Sequence, residues 1–239
     1  VTRFLVALAV LLWPVWSFAQ DPPALPPKAP APKSATQTGP RETIGVRGFV
    51  TVGNFSARAA DTFDAVLGSN AGLIVGGGAH VLLPRGFYVE ASASRFTGEG
   101  ERVFVGADQE IFPLGIPLEV TLTPLEITGG WRYRHCPRPK GRPVVCRPSV
   151  IPYVGGGFSS YRYQETSDQS IAEDDVDERF AGFHLLGGVE YRAMTWVTVG
   201  GELAWSSIAD ALGEGGVSAA FNETDLGGIS IRLKVSIGR

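Results

Sequence analysis

Gly228-Ile229-Ser230-Ile231-Arg232-Leu233-Lys234-Val235-Ser236-Ile237 is the stretch that decides the fold. Side chains of a strand alternate between its two faces. Ile229, Ile231, Leu233, Val235 and Ile237 therefore share one side, and Ser230, Arg232, Lys234 and Ser236 share the other. A long strand with one wholly aliphatic face and one charged face suits the wall of a barrel, with lipid outside and a polar interior.

Residues 1–19 read as a secretory signal peptide. Arg3 supplies the positive charge, Phe4 to Trp16 is apolar, and Ser17-Phe18-Ala19 places small residues before a cut after Ala19. The apolar run stops at Gln20 and Asp21, short of the roughly 20 residues of a membrane helix, although an uncleaved anchor is the rival reading. No Cys follows the cut, so a lipoprotein is not expected. Signal and strand together lead to the expectation of a bacterial outer-membrane location. The 44% hydrophobic residues and 31 Gly fit a barrel whose apolar positions are interleaved, and the net charge of −3 argues against a nucleic-acid partner.

Residues 20–42 carry Pro22-Pro23, Pro26-Pro27, Pro30, Pro32 and Pro40, an extended linker expected in the periplasm. Residues 43–239 form the barrel domain, with strand-like runs at 43–55, 71–83, 86–96, 117–134, 150–164, 179–192, 195–206 and 225–238. Long connections at 56–70, 97–116, 165–178 and 207–224 alternate with short ones, which puts both termini in the periplasm and the long loops outside, with the Cys136–Cys146 segment a long exception on the periplasmic side. The fold class is all-β, a closed antiparallel transmembrane β-barrel of eight strands. In the fourth run Leu118, Val120 and Leu122 are even-numbered, whereas Leu125, Ile127, Trp131 and Tyr133 are odd. Pro124 lies at the change, so a β-bulge is expected near Thr123-Pro124. The recurrent glycines, such as Gly129-Gly130 and Gly187-Gly188, suggest sharp curvature in a narrow barrel.

Pro152-Tyr153-Val154-Gly155-Gly156-Gly157, Leu186-Gly187-Gly188-Val189-Glu190-Tyr191-Arg192 and the last strand resemble the small outer-membrane β-barrel domain family, the OmpA-like and OmpX-like eight-stranded class. The resemblance covers roughly residues 43–239. It implies insertion by the barrel-assembly machinery with periplasmic chaperones. Family members usually end in an aromatic residue, where this chain has Ile237-Gly238-Arg239.

Nine charges are expected to face the lumen: Arg47, Glu90, Glu126, Arg132, Glu190, Arg192, Glu202, Arg232 and Lys234. An eight-stranded barrel has an interior just wide enough for side chains, so these charges should pair as a salt-bridged, water-containing plug. A gated ion path, a polar-ligand site and a Glu90–Glu126 acid/base pair are the other readings. His80 and His184 read as inward, hydrogen-bonded residues, and no Gly-x-Ser-x-Gly elbow is present. Cys136 and Cys146 suggest a local disulfide, with zinc the alternative lacking a fourth ligand; no metal or cofactor is expected. Asp168, Glu173, Asp174, Asp175, Asp177 and Glu178 make the loop 165–178 acidic, and Arg132, Arg134, Arg138, Lys140, Arg142 and Arg147 form a basic cluster that could meet lipid phosphates or a periplasmic partner. Trp131, Tyr133, Tyr153, Tyr161, Tyr163, Tyr191, Trp196 and Trp205 are expected at the membrane interfaces. The leading functional expectation is a non-enzymatic structural or surface-interaction protein, adhesion-like, meeting a partner through its external loops. A narrow pore is the alternative and a lipid-modifying enzyme the third reading.

Overall fold

A computed structural model describes residues 44–106, 108, 110–133, 149–167, 176–213 and 215–238. The expected signal (1–19), the linker (20–42), Cys136, Cys146, most of the basic cluster and the acidic residues 168–175 lie outside the described residues.

Eight strands close into one antiparallel barrel in chain order: β1 (Gly45–Ala57), β2 (Ala71–Leu82), β3 (Phe87–Val105), β4 (Ile111–Arg132), β5 (Val150–Thr166), β6 (Val176–Arg192), β7 (Val197–Ser207) and β8 (Gly228–Gly238). Closure is made by β1 against β8, with Val50 opposite Val235 and Thr51 opposite Lys234. Helix α1 (Ala60–Leu67) joins β1 to β2 and α2 (Gly216–Phe221) joins β7 to β8, both at what we call the loop end. The opposite, turn end carries the tight links at Pro84–Gly86 and 193–196.

The alternation in β8 is preserved in space. Ile229, Ile231, Leu233, Val235 and Ile237 are exposed, while Ser230, Arg232, Lys234 and Ser236 are buried. The same holds around the wall, where Val46, Val50, Leu73, Val89, Ile127, Val154, Leu185 and Leu203 lie outward. About nine residues of strand tilted at roughly 40° rise about 20–25 Å, which matches the apolar band of such barrels. A soluble lipocalin-like barrel would have the two faces reversed. At the turn end Phe87, Trp131, Tyr133, Tyr191 and Trp196 are exposed aromatics, and Trp131 Nε1 donates to the Arg85 carbonyl at 3.1 Å.

Three expectations need correction. First, β4 has no bulge at Thr123-Pro124, because its pairing with β5 runs in one register from Glu119 to Arg132. Even-numbered residues face inward throughout this part of β4. The apparent slip arises because the interior changes character: Leu118, Val120 and Leu122 are buried at the loop end, Leu122 within an apolar cluster, whereas Glu126, Thr128 and Arg132 point into a polar lumen. The irregularity lies instead between Glu101 and Val103 of β3, opposite a stretch of β4 in which Gly115 has φ +67°. Second, most of the stretch 97–116 is not loop, since β3 and β4 continue as a long hairpin beyond the apolar band. Third, Tyr153 and Tyr161 are buried inward residues of β5 and not interfacial anchors, and Tyr163 packs against the apolar cluster.

The inward aromatics explain part of the glycine pattern. A Cβ on Gly130 would lie 2.4 Å from the Tyr88 ring and 2.4 Å from the Val154 carbonyl oxygen. A Cβ on outward Gly129 would meet nothing within 4 Å. Gly130→Ala is therefore expected to destabilise the barrel by about 1–3 kcal/mol. Gly129→Ala should stay within about 0.5 kcal/mol of the parent. Urea unfolding in lipid vesicles measures both, and equal effects would refute the packing argument.

Candidate functional site

The lumen is the first place where this fold gathers chemistry. Inward positions of β1, β3, β4, β6, β7 and β8 bring four cations, Arg47, Arg132, Arg232 and Lys234, against four carboxylates, Glu90, Glu126, Glu190 and Glu202, all buried. The numbers balance, so every buried charge has a counter-charge available.

Lys234 occupies the centre. Its Nζ donates to both Glu90 oxygens at 2.8 and 2.6 Å and to Glu202 Oε2 at 3.4 Å, and it sits 4.1 Å from the Phe49 ring centroid. Glu202 also accepts from the Tyr153 hydroxyl at 2.9 Å and pairs with Arg232 at 3.0 Å. Arg232 reaches across to Glu126 at 3.3 Å, where Ser92 Oγ also donates at 3.3 Å. His80 Nδ1 lies 3.4 Å from Glu90. A second group joins Glu190 to Arg132, with Arg47 at 3.8 Å. The space among His80, Glu90, Tyr153, Glu190 and Lys234 is too tight for a water molecule. Arg192, the ninth charge expected in the lumen, sits half-buried at the last position of β6, at the turn end. Arg132 belongs to the lumen and not to a surface basic cluster.

His184 lies between two hydroxyls, with Thr128 Oγ1 at 2.7 Å from Nε2 and Ser159 Oγ at 2.8 Å from Nδ1. It is 1% exposed and His80 is 2% exposed. Glu90 and Glu126 engage different cations and form no carboxylate pair among the described contacts.

Above the polar lumen, the loop end is sealed by an apolar cluster that includes Phe55, Phe63, Phe96, Leu122, Ile208 and Leu226. Phe55 and Phe96 meet edge to face with centroids 5.5 Å apart. The sequence reading missed this seal; its signal was the even-numbered Leu118, Val120 and Leu122.

Two carboxylates of the β7–β8 connection fasten the seal. Glu223 accepts from the amides of Asp61 and Thr62 at 3.2 and 2.8 Å, so it caps α1 from another loop. Asp225 accepts from Ser207 Oγ at 2.7 Å and from the amides of Ile208 and Gly227 at 2.8 Å each, and it pairs with Arg58 at 3.0 Å. Burial opposes ionisation of Asp225, but these hydrogen bonds and the Arg58 guanidinium outweigh it and hold the carboxyl below its usual range.

The exposed aliphatic wall, the aromatic turn end and the charge-filled lumen decide the class. The architecture is that of an outer-membrane eight-stranded β-barrel. Neisserial surface protein A is 12% identical, the match covering 81% of this chain and 96% of that one at a TM-score of 0.48. A major outer membrane protein from Thermus thermophilus is 10% identical, covering 82% and 99% at 0.49. The N-terminal β-barrel domain of Pseudomonas aeruginosa OprF is 10% identical, covering 81% and 97% at 0.43. No family model and no curated protein sequence matches the chain. At these identities no activity carries over from any of the three.

Removing the Lys234 charge leaves Glu90 and Glu202 short of a partner in a site that admits no water. Lys234→Met is expected to cost about 3–5 kcal/mol. Lys234→Met combined with Glu90→Gln should recover part of that loss, because the surplus negative charge goes with it. Vesicle unfolding curves of the two variants provide the check, and a double variant no more stable than the single would refute the pairing scheme.

Asp225 gives a pH dependence at the loop end. Because its folded pKa is depressed, its contribution is present above the ordinary carboxylate pKa and is lost as pH falls through the folded value. Hydrogen exchange at the Ile208 and Gly227 amides, corrected for intrinsic rate, should accelerate on acidification. Asp225→Asn should remove that pH dependence.

Proposed function

We propose that this chain is a non-enzymatic outer-membrane barrel with a surface-interaction role carried by its loop end. The observation that supports this reading is the contrast between interior and hairpin. The interior is filled at two levels, first by paired charges and then by the apolar seal. The β3–β4 hairpin continues past Arg95, the first charged outward residue of β3 beyond Phe87, Val89, Ala91 and Ala93. Near its tip Phe104, Phe112 and Leu114 are exposed, about 30 Å along the strand from the end of the apolar band. Lipid accounts for the exposed aliphatics of the wall but not for these. Contiguous apolar groups exposed to water mark interaction sites.

In this reading the loop end faces outward, both termini lie in the periplasm, and the assembly machinery with its chaperones inserts the barrel. The burial of His80 and His184 supports a role without catalysis, since neither ring reaches a surface that a substrate could touch.

The test is conductance of the refolded barrel in a planar bilayer. We expect an electrically silent barrel, and silence from Arg232→Gln as well, with heat-modifiable mobility on a gel confirming that both proteins are folded. Discrete openings whose size changes with Arg232→Gln would replace this reading with that of a narrow pore.

A further inference from the structure

The loop end holds a cavity separate from the polar lumen, with Leu114 of the hairpin among its lining residues. Its volume is about 480 Å³, within the roughly 300–1,000 Å³ of small-molecule sites. Separate parts of the chain build its walls: α1, the β3–β4 hairpin, the end of β5, the start of β6, and residues 211–213 and 215–218 at the entry to α2. Phe63, Val66, Leu67, Leu118, Val120 and Val217 give the lining an apolar majority, and Thr62 and Ser218 add hydroxyls. Arg102 and Glu178 add charge, and Glu165 does so while already accepting the Tyr163 hydroxyl.

This composition discriminates among occupants. The volume is that of one small molecule. Apolar walls with a few charged groups suit a ligand that is mostly hydrocarbon and carries one polar end. We propose that the cavity binds the hydrocarbon chain of a single amphiphile, a membrane lipid or a free alcohol or acid of medium length. The site is formed by loop-end residues alone, so it is independent of whether the lumen conducts.

The experiment uses the full chain in lipid nanodiscs, with labelled Leu and Val methyl groups read by NMR during titration with decanol. The methyls of Leu118, Val120 and Val217 report the cavity, while those of Leu233 and Val235 report the lipid-facing wall. We expect saturable shifts at the first group and only gradual, unsaturated drift at the second. Contacts from lipid acyl protons to the cavity methyls before decanol is added would assign the occupant to the membrane; contacts appearing only with decanol would assign it to a free amphiphile. Val217→Trp fills the cavity and should weaken decanol binding at least tenfold, with the lumen methyl of Leu186 unmoved as evidence of an intact barrel. Leu118→Phe is the second filling variant, should Val217→Trp fail to fold. Shifts that never saturate, or a folded filling variant that binds as tightly as the parent, would overturn the proposal.

Discussion

Everything inside this protein follows from one constraint: a sheet of eight strands, once closed, leaves room for side chains but not for solvent. Ions held there cannot rely on water, so each must find its counter-ion among the other strands. Lys234 meets this requirement by binding carboxylates from β3 and β7 while itself belonging to β8. Arg232 does the same for β4 and β7. The network thereby ties the last strand to both halves of the wall. Its charges hold one arrangement of strands in place, because a slip of one residue would turn Lys234 into lipid and Leu233 into the lumen.

The interior is built in two storeys with different chemistry. The lower one is ionic and makes the barrel's register specific. The upper one is apolar, packed by Phe55, Phe96, Ile208 and Leu226, and it supports the helices and the long hairpin above the lipid band. This division explains why β4 carries aliphatic residues on opposite faces in its two halves. Near Leu125 and Ile127 the lipid is outside, and near Leu118 and Leu122 the hydrocarbon environment is inside.

The wall was legible in the sequence because lipid imposes a strict period of two, and β8 displays it without a break. The positions of Arg47, Glu90, Glu126, Glu202 and Lys234 followed from that same period. Four features did not follow. The apolar seal was misread as a phase slip, since periodicity reports which face is apolar but not what lies beyond it. The continuation of β3 and β4 through 97–116 was hidden because the β3 positions that pack on α1, Gly98 and Gly100, carry no apolar side chain to show an alternation. Tyr153 and Tyr161 were placed at the interface because tyrosine is common there. The local sign to the contrary was Gly188, whose missing Cβ makes room for the Tyr153 ring inside the wall. The capping of α1 by Glu223 could not be foreseen, as 161 positions separate donor and acceptor.

That separation has a consequence for the order of events during synthesis and insertion. Helix α1 follows the first strand, yet the carboxylate that satisfies its leading amides sits just before the eighth. Arg58 and Asp225 repeat the arrangement. An eight-residue helix is too short to persist by itself in water. The first loop therefore stays unfinished until the final strand arrives and the cylinder shuts. The loop end is completed by the last step of the barrel's construction, and its ordered state records that the wall beneath it has closed.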